Sequence, residues 1–221
     1  AAWLVLNWVD NQAPDYPLVR PKYGLLLLIA PLALAEVIMQ ALFFLRLHPD
    51  LITSCCGALF NPEGGGVAAE VAGFPPALSL GALAMSGILL LATGIRYWHW
   101  GRGGGIFALM AALTFCLALA AIVSGIALYV YEHPHHHCPF CLLKSGHDFV
   151  GYGLYLPLFA ATALALGVGL MANWRSVPSL KGIIATQGPH LVGIALILFG
   201  LFYGVATLLV LRSNLILLGH A

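Results

Sequence analysis

The run His133, Pro134, His135, His136, His137, Cys138, Pro139, Phe140, Cys141 gathers four imidazoles and a Cys-x-x-Cys dithiol between two long apolar stretches. A vicinal pair, Cys55 and Cys56, follows another apolar stretch. Thiols separated by two residues can cycle between dithiol and disulfide, and the thiolate is both the nucleophile of that exchange and a ligand for soft metals. Pro139 suits the first turn of a helix, where its missing N–H would be unpaired in any case. The sequence therefore predicts Cys138 at the cap and Cys141 in the first turn of a membrane helix. There the helix dipole and a protonated neighbour among His135, His136 and His137 would stabilise the Cys138 thiolate.

Cys55 and Cys56 are expected not to bond to each other, because a disulfide between immediate neighbours strains the peptide joining them. Three uses remain open for them. One exchanges with Cys138 or Cys141 during turnover, or both join that dithiol and the histidines on a metal, or both form structural disulfides that tie the 47–76 loop down. For a metal site the candidate ligands are His133, His135, His136, His137, Cys138 and Cys141, a thiolate and imidazole set that favours copper(I) first and zinc next. A bis-His haem is not indicated, since His48, His99, His190 and His220 fall at helix ends.

The elements that must carry these groups follow from composition. With 61% hydrophobic and 8% charged residues over 221 positions, and a mean hydropathy of +0.96, the chain reads as an all-α integral membrane protein. Apolar stretches at about 24–46, 77–97, 105–131, 149–172 and 189–211 each approach the ~20 residues that cross a bilayer, which predicts a bundle of about five transmembrane helices. Residues 1–23 read as an interfacial segment or the tail of a further helix, and 24–221 as one membrane domain. No secretory signal peptide is discernible. A net charge of +1 with no Lys/Arg-rich run argues against a nucleic-acid partner.

Orientation comes from the basic residues. Arg20, Lys22, Arg96, Arg102, Arg175 and Lys181 fall on one side if the helices alternate, and that side is expected to be cytoplasmic in a plasma (inner) membrane. Both cysteine pairs and the C-terminus are then extracytoplasmic, in a compartment that permits disulfides.

Steps of three and four residues down the fourth span align Cys141, Ser145, Asp148, Tyr152, Tyr155 and Phe159. Asp148, beside His147, could hold an imidazole or relay a proton, or simply pair with Lys144 one turn away. Tyr152 is a candidate for lining a quinone site, while the aromatic stripe as a whole also suits packing and the interfacial belt. Glu36, with Gln40 one turn on, is an acidic residue in the middle of an apolar span. It is a candidate cofactor-binding group, or a neutral carboxyl hydrogen-bonded to a neighbouring helix. Cys116, near mid-span, is expected to be a small buried apolar residue. Gly200 and Gly204 form a small-xxx-small pair that permits close helix contact.

A loop cysteine pair after the first span, two further spans and a Cys-x-x-Cys at the mouth of the next helix resemble the vitamin K epoxide reductase family over roughly residues 24–172, as topology. This chain differs in its adjacent loop cysteines, its histidine run and its fifth span. The resemblance implies a helical bundle that passes electrons between a membrane-end dithiol, a loop pair and a bound quinone. By it, Cys138 and Cys141 are the quinone-proximal pair and Cys55 and Cys56 the shuttle to an extracytoplasmic thiol protein. Three functions follow from the residues and the resemblance together: a membrane thiol–disulfide oxidoreductase coupled to quinone, a copper- or zinc-handling protein served by a metallochaperone, and a structural subunit of a larger membrane complex.

Overall fold

The computed structural model describes residues 2–46, 60, 62 and 66–215. Cys55 and Cys56, the Gly64–Gly65 pair, His48 and His220 lie outside the described residues. The helices are α1 (Ala2–Asp10), α2 (Val19–Leu45), α3 (Val67–Ala72), α4 (Pro76–Trp100), α5 (Gly104–Ala121), α6 (Ala127–Tyr131), α7 (Val150–Met171) and α8 (Pro178–Arg212). A π-helical turn, Ile122–Ile126, joins α5 to α6 in one continuous span, and no strand occurs among the described residues. Five of these segments are long and apolar enough to cross a membrane: Val19–Leu45, Pro76–Trp100, Gly104–Tyr131, Val150–Trp174 and Pro178–Arg212. The chain is an all-α membrane bundle.

Local sequence sets the boundaries. Pro76 and Pro178 open α4 and α8 at positions where their missing N–H costs nothing. Gly101 and Gly103, with φ of 61° and 91°, make the left-handed turn that ends α4 and starts α5. Two spans begin earlier than their hydropathy predicts. α2 starts at Val19, so the 23/24 boundary falls inside a helix, and α8 starts at Pro178 and runs through Pro189. A proline inside a membrane helix is tolerated where neighbouring groups or local adjustment satisfy the freed carbonyl.

α7 lies at the centre, packed mainly on α8, α5 and α1, with α4 closing against α5 and α8. Its buried stripe, Leu154, Leu158, Ala161, Ala165 and Val168, has the alternating four- and three-residue spacing of one helix face. Small residues let its neighbours come close. A Cβ on Gly167 would stand 2.6 Å from the Val5 side chain, and one on Gly169 would meet the Ala108 methyl. On α5 the inward face is Ala111, Thr114 and Ala118, which leaves Cys116 on the outward face. The expectation that Cys116 is buried is thus corrected, since it is exposed on the side opposite the core stripe. A Cβ added at Gly200 or Gly204 would meet nothing within 4 Å, so that pair serves no close contact in this chain.

The short helix α1 is part of the core. Val5, Leu6 and Val9 are buried against α7 and α8, and Asp10, fully buried, sits 2.6 Å from Lys22 Nζ. The backbone N–H of Leu18 donates to Asp10 Oδ1 at 2.7 Å, and Lys22 Nζ donates to Asn7 Oδ1 at 2.9 Å. This network pins the start of α2 to α1. Beyond it α2 stands away from the bundle, and no part of its most apolar stretch is buried.

The basic residues named from sequence gather at one end of the bundle. Arg175 lies 5.9 Å from the Tyr97 ring centre and reaches the Gly101 turn, while Arg96 reaches Gly103. The Cys138 segment lies at the opposite end, between α6 and α7.

Candidate functional site

The span that leads into the dithiol segment changes its winding just before it ends. At Ile122–Ile126 the backbone bonds skip to the fifth residue, as when the Ala127 N–H bonds the Ile122 carbonyl. Such wide turns inside α-helices cluster at functional sites. Gly125 lies against Leu80 and Ser79 of α4, with a Cβ there only 3.2 Å from Leu80 Cγ, and the Ser124 hydroxyl donates back to the Ala120 carbonyl. Both contacts favour a locally widened helix.

His137 docks on this turn. It is 5% exposed, and its Nδ1 lies 3.1 Å from the Val123 carbonyl oxygen. A carbonyl only accepts, so the hydrogen bond requires the proton on Nδ1 and leaves Nε2 as the basic nitrogen. Cys138 and Cys141 follow, with 1% and 7% exposure. Pro139 and Phe140 form the corner of a tight turn between them. Such a turn holds its first and last Cα within about 7 Å, close to the span a disulfide needs. Two tyrosines fix consecutive carbonyls of this corner: the Tyr131 hydroxyl donates to the Cys138 carbonyl at 2.6 Å, and the Tyr155 hydroxyl to the Pro139 carbonyl at 3.0 Å.

One sequence expectation is corrected here. Cys141 does not sit in the first turn of the membrane helix. It opens a short 3₁₀ turn, Cys141–Leu143, a second follows at Ser145–His147, and α7 begins only at Val150. The stripe from Cys141 to Phe159 is therefore continuous only from Tyr152 onward, and the helix dipole at Val150 is too remote to act on Cys138. The segment is bracketed by non-glycine residues in the left-handed region, Glu132 (φ 52°) on one side and Asp148 and Phe149 (φ 50° and 53°) on the other. Each such residue costs roughly 1 kcal/mol or more, a strain commonly found next to functional sites. Glu132 is also tied down, its carboxylate accepting the Asn214 backbone N–H at 2.8 Å and the Asn214 amide at 3.0 Å.

Two cavities flank the segment. One, of about 480 Å³, is almost wholly apolar and is lined by Val123 of the wide turn, Pro139 and Phe140 of the dithiol corner, and Tyr152, Tyr155 and Phe159 of α7. The other, of about 660 Å³, is more polar and is lined by Ser124, His135 and His137 together with Pro62 and Phe74. Neighbouring residues of the wide turn thus face different cavities, Val123 the apolar one and Ser124 the polar one. The ring of Phe60 lies 6.1 Å from that of Phe140, which brings the chain just after the vicinal cysteines onto the dithiol corner.

The other candidates distribute unevenly. Tyr152 lines the apolar cavity, Asp148 is exposed outside it, and Glu36 lies on α2, away from both. No Asp148–Lys144 ion pair forms; among the described residues the ion pair is Lys22–Asp10. His133 and His135 are exposed and meet edge-on at 6.0 Å, while the Tyr131 ring is held between His136 at 4.3 Å and His147 at 4.5 Å. Among the described residues no three His, Cys, Asp or Glu side chains converge to hold a metal ion. The sequence reading omits Tyr131, whose position just before the histidine run was the available signal, and the wide turn, which no sequence pattern marks.

His136 is partly buried, with Nε2 enclosed and without a hydrogen-bond partner among the described residues. Burial, then the nearby His147, His133, His137 and Lys144, holds its pKa below the usual histidine value. The folded state therefore resists protonation that the unfolded chain accepts. Stability contributed by neutral His136 is present above about pH 6.5 and is lost as the pH falls from there toward the lower folded pKa. Melting curves of the purified protein in detergent should shift down between pH 7.5 and 5.5, and His136→Gln should remove part of that shift. An equal shift in the variant would assign the acid sensitivity elsewhere.

No family model, curated protein or solved structure matches this chain.

Proposed function

We propose that the protein is a membrane thiol–disulfide oxidoreductase in which the Cys138–Cys141 dithiol reduces a quinone held in the 480 Å³ cavity. The observation that carries this reading is that the corner between the two buried cysteines forms a wall of that cavity. An apolar space rimmed by aromatic rings and tyrosines suits a flat, lipid-soluble two-electron acceptor, and its volume is in the range of ligand sites. Cys138 and Cys141 together give up two electrons and two protons as the S–S bond forms, and the quinone takes both to become quinol. A thiol partner then returns the pair to the dithiol by exchange, itself leaving as a disulfide.

Cys55 and Cys56 are the proposed carriers between that partner and the dithiol. Cys56 is four residues from Phe60, and four residues of chain reach at most about 14 Å, so covalent length permits approach to the corner that Phe60 touches. The basic residues at the far end favour an extracytoplasmic site for this chemistry.

The test uses the full chain in vesicles with a dithiol donor and a short-chain quinone, following quinone absorbance. Leu156 is exposed on α7 and lines the cavity, so Leu156→Trp fills the quinone site without touching the cysteines. The variant should need roughly tenfold more quinone for half-maximal rate, on the scale of one or two lost apolar contacts, with dithiol exchange unchanged. Quinone reduction that is absent in the unaltered protein, or indifferent to Leu156→Trp, rejects the assignment.

A further inference from the structure

We infer that α2 is a self-association helix, pairing in the bilayer with α2 of a second copy of this chain. No residue of its most apolar stretch is fully buried, and its packing is confined mainly to α1 and to the half-buried Leu25 and Leu26 at one end. Yet it is not uniformly apolar. Glu36 and Gln40 are both exposed; Glu36 lies about halfway along the 21 residues from Leu25 to Leu45, a depth of about 17 Å by helix rise, and Gln40 one turn further on.

The two polar residues are placed for a like partner. Leu26, Ile29, Ala33, Glu36, Gln40 and Phe43 repeat at alternating three- and four-residue steps, the seam spacing of paired helices. Both polar side chains of the span fall on that seam, and Ala33, one turn before Glu36, leaves room for backbones to approach. Gln40 Nε2 donates to Glu36 Oε1 at 3.3 Å, which uses one of the amide's two N–H groups. The second N–H, the amide oxygen and Glu36 Oε2 have no partner among the described residues, on an exposed face of a helix apolar enough to cross a membrane.

A second copy answers this need with its own residues. All copies insert in the same orientation, so a two-fold axis along the membrane normal sets each Glu36 and Gln40 at the depth of its counterpart. A carboxyl and an amide are mutually complementary as donors and acceptors. Arg46, the cation nearest along the chain, caps the helix ten residues, about 15 Å, from Glu36, and Lys22 at the other end is already paired with Asp10. Different partners, such as an unrelated subunit, would have to supply the same groups at the same depth.

Two differently tagged copies of the full chain, co-expressed and oxidised in native membranes, test the pairing. Ala33→Cys, on the seam, should give a disulfide-linked species of twice the chain mass carrying both tags. Its yield should exceed by about tenfold that of the parent or of Ile38→Cys, which lies on the opposite face at similar depth. Adding Glu36→Ala with Gln40→Ala should remove the cross-link, whereas Glu36→Gln, which keeps the hydrogen bonds, should retain it. Because Glu36 and Gln40 are exposed and bond to each other, the double-alanine variant should melt as the parent does at dilutions where the parent is monomeric, which separates lost pairing from lost folding. Equal cross-linking at positions 33 and 38, an adduct containing another protein, cross-linking unaffected by the double substitution, or a lowered melting temperature in that variant would each overturn the inference.

Discussion

Cys138→Ser and Cys141→Ser should each lower quinone-linked thiol oxidation by about a thousandfold or more, because removing a reacting nucleophile eliminates the covalent path rather than weakening it. The two variants should differ in what accumulates. With Cys141 replaced, the Cys138 thiolate can still attack the oxidised carrier or partner in the reverse of the exchange, but no neighbour releases it, so a mixed disulfide to Cys55, Cys56 or the thiol partner persists. Non-reducing electrophoresis followed by peptide mapping reads out that bond. Full activity in both serine variants would place the chemistry elsewhere and leave the buried pair a structural role. Tyr131 and Tyr155 hold the corner by the Cys138 and Pro139 carbonyls, so substituting them loosens its geometry.

The second large effect is on stability and lies at the other end of the molecule. Asp10 is fully buried and Lys22 nearly so, at 2.6 Å. Asp10→Ala leaves an ammonium enclosed with only the Asn7 amide as acceptor and also strips the Leu18 N–H of its partner. Breaking one half of a buried pair typically costs about 3–5 kcal/mol, whereas replacing both halves by apolar groups is often neutral. Thermal unfolding in detergent should show a steep loss for Asp10→Ala and substantial recovery in Asp10→Ala with Lys22→Met. A single variant that melts with the parent would mean that water reaches this site and the pair contributes little.

Much of the architecture was legible because membrane helices obey one dominant requirement, an unbroken apolar run of sufficient length. Hydropathy located all five spans, while their ends shifted where proline opened a helix, as at Pro178, or where a contact from another element held the start, as Asp10 does on the Leu18 N–H before Val19. α1 was too short to register as a span, and its place in the core depends on Gly167 yielding space to Val5, a tertiary fact. At the candidate site, residue type singled out the dithiol, the histidine run and Tyr152, and the structure places Tyr152 on the cavity beside the dithiol corner. Residue type also placed Cys141 in the first turn of the helix that in fact begins at Val150, because Pro139 suits a tight turn as well as a helix start. Glu36 was chemically conspicuous but lies on a helix that the bundle does not hold, so distance in space separated what composition had grouped.

The wide turn at Ile122–Ile126 has a consequence for how the third long span can vary. One additional residue in a helix advances everything beyond it by about 100° around the axis. The portion below the turn, with Ala111, Thr114 and Ala118, answers to the bundle interior, while the portion above it, ending at Tyr131, answers to the dithiol corner. The two portions are out of phase and can accumulate changes on separate schedules, provided the extra residue stays. A one-residue deletion there would read as conservative in hydropathy and length, yet it would swing Tyr131 away from the Cys138 carbonyl while leaving the lower half of the span seated.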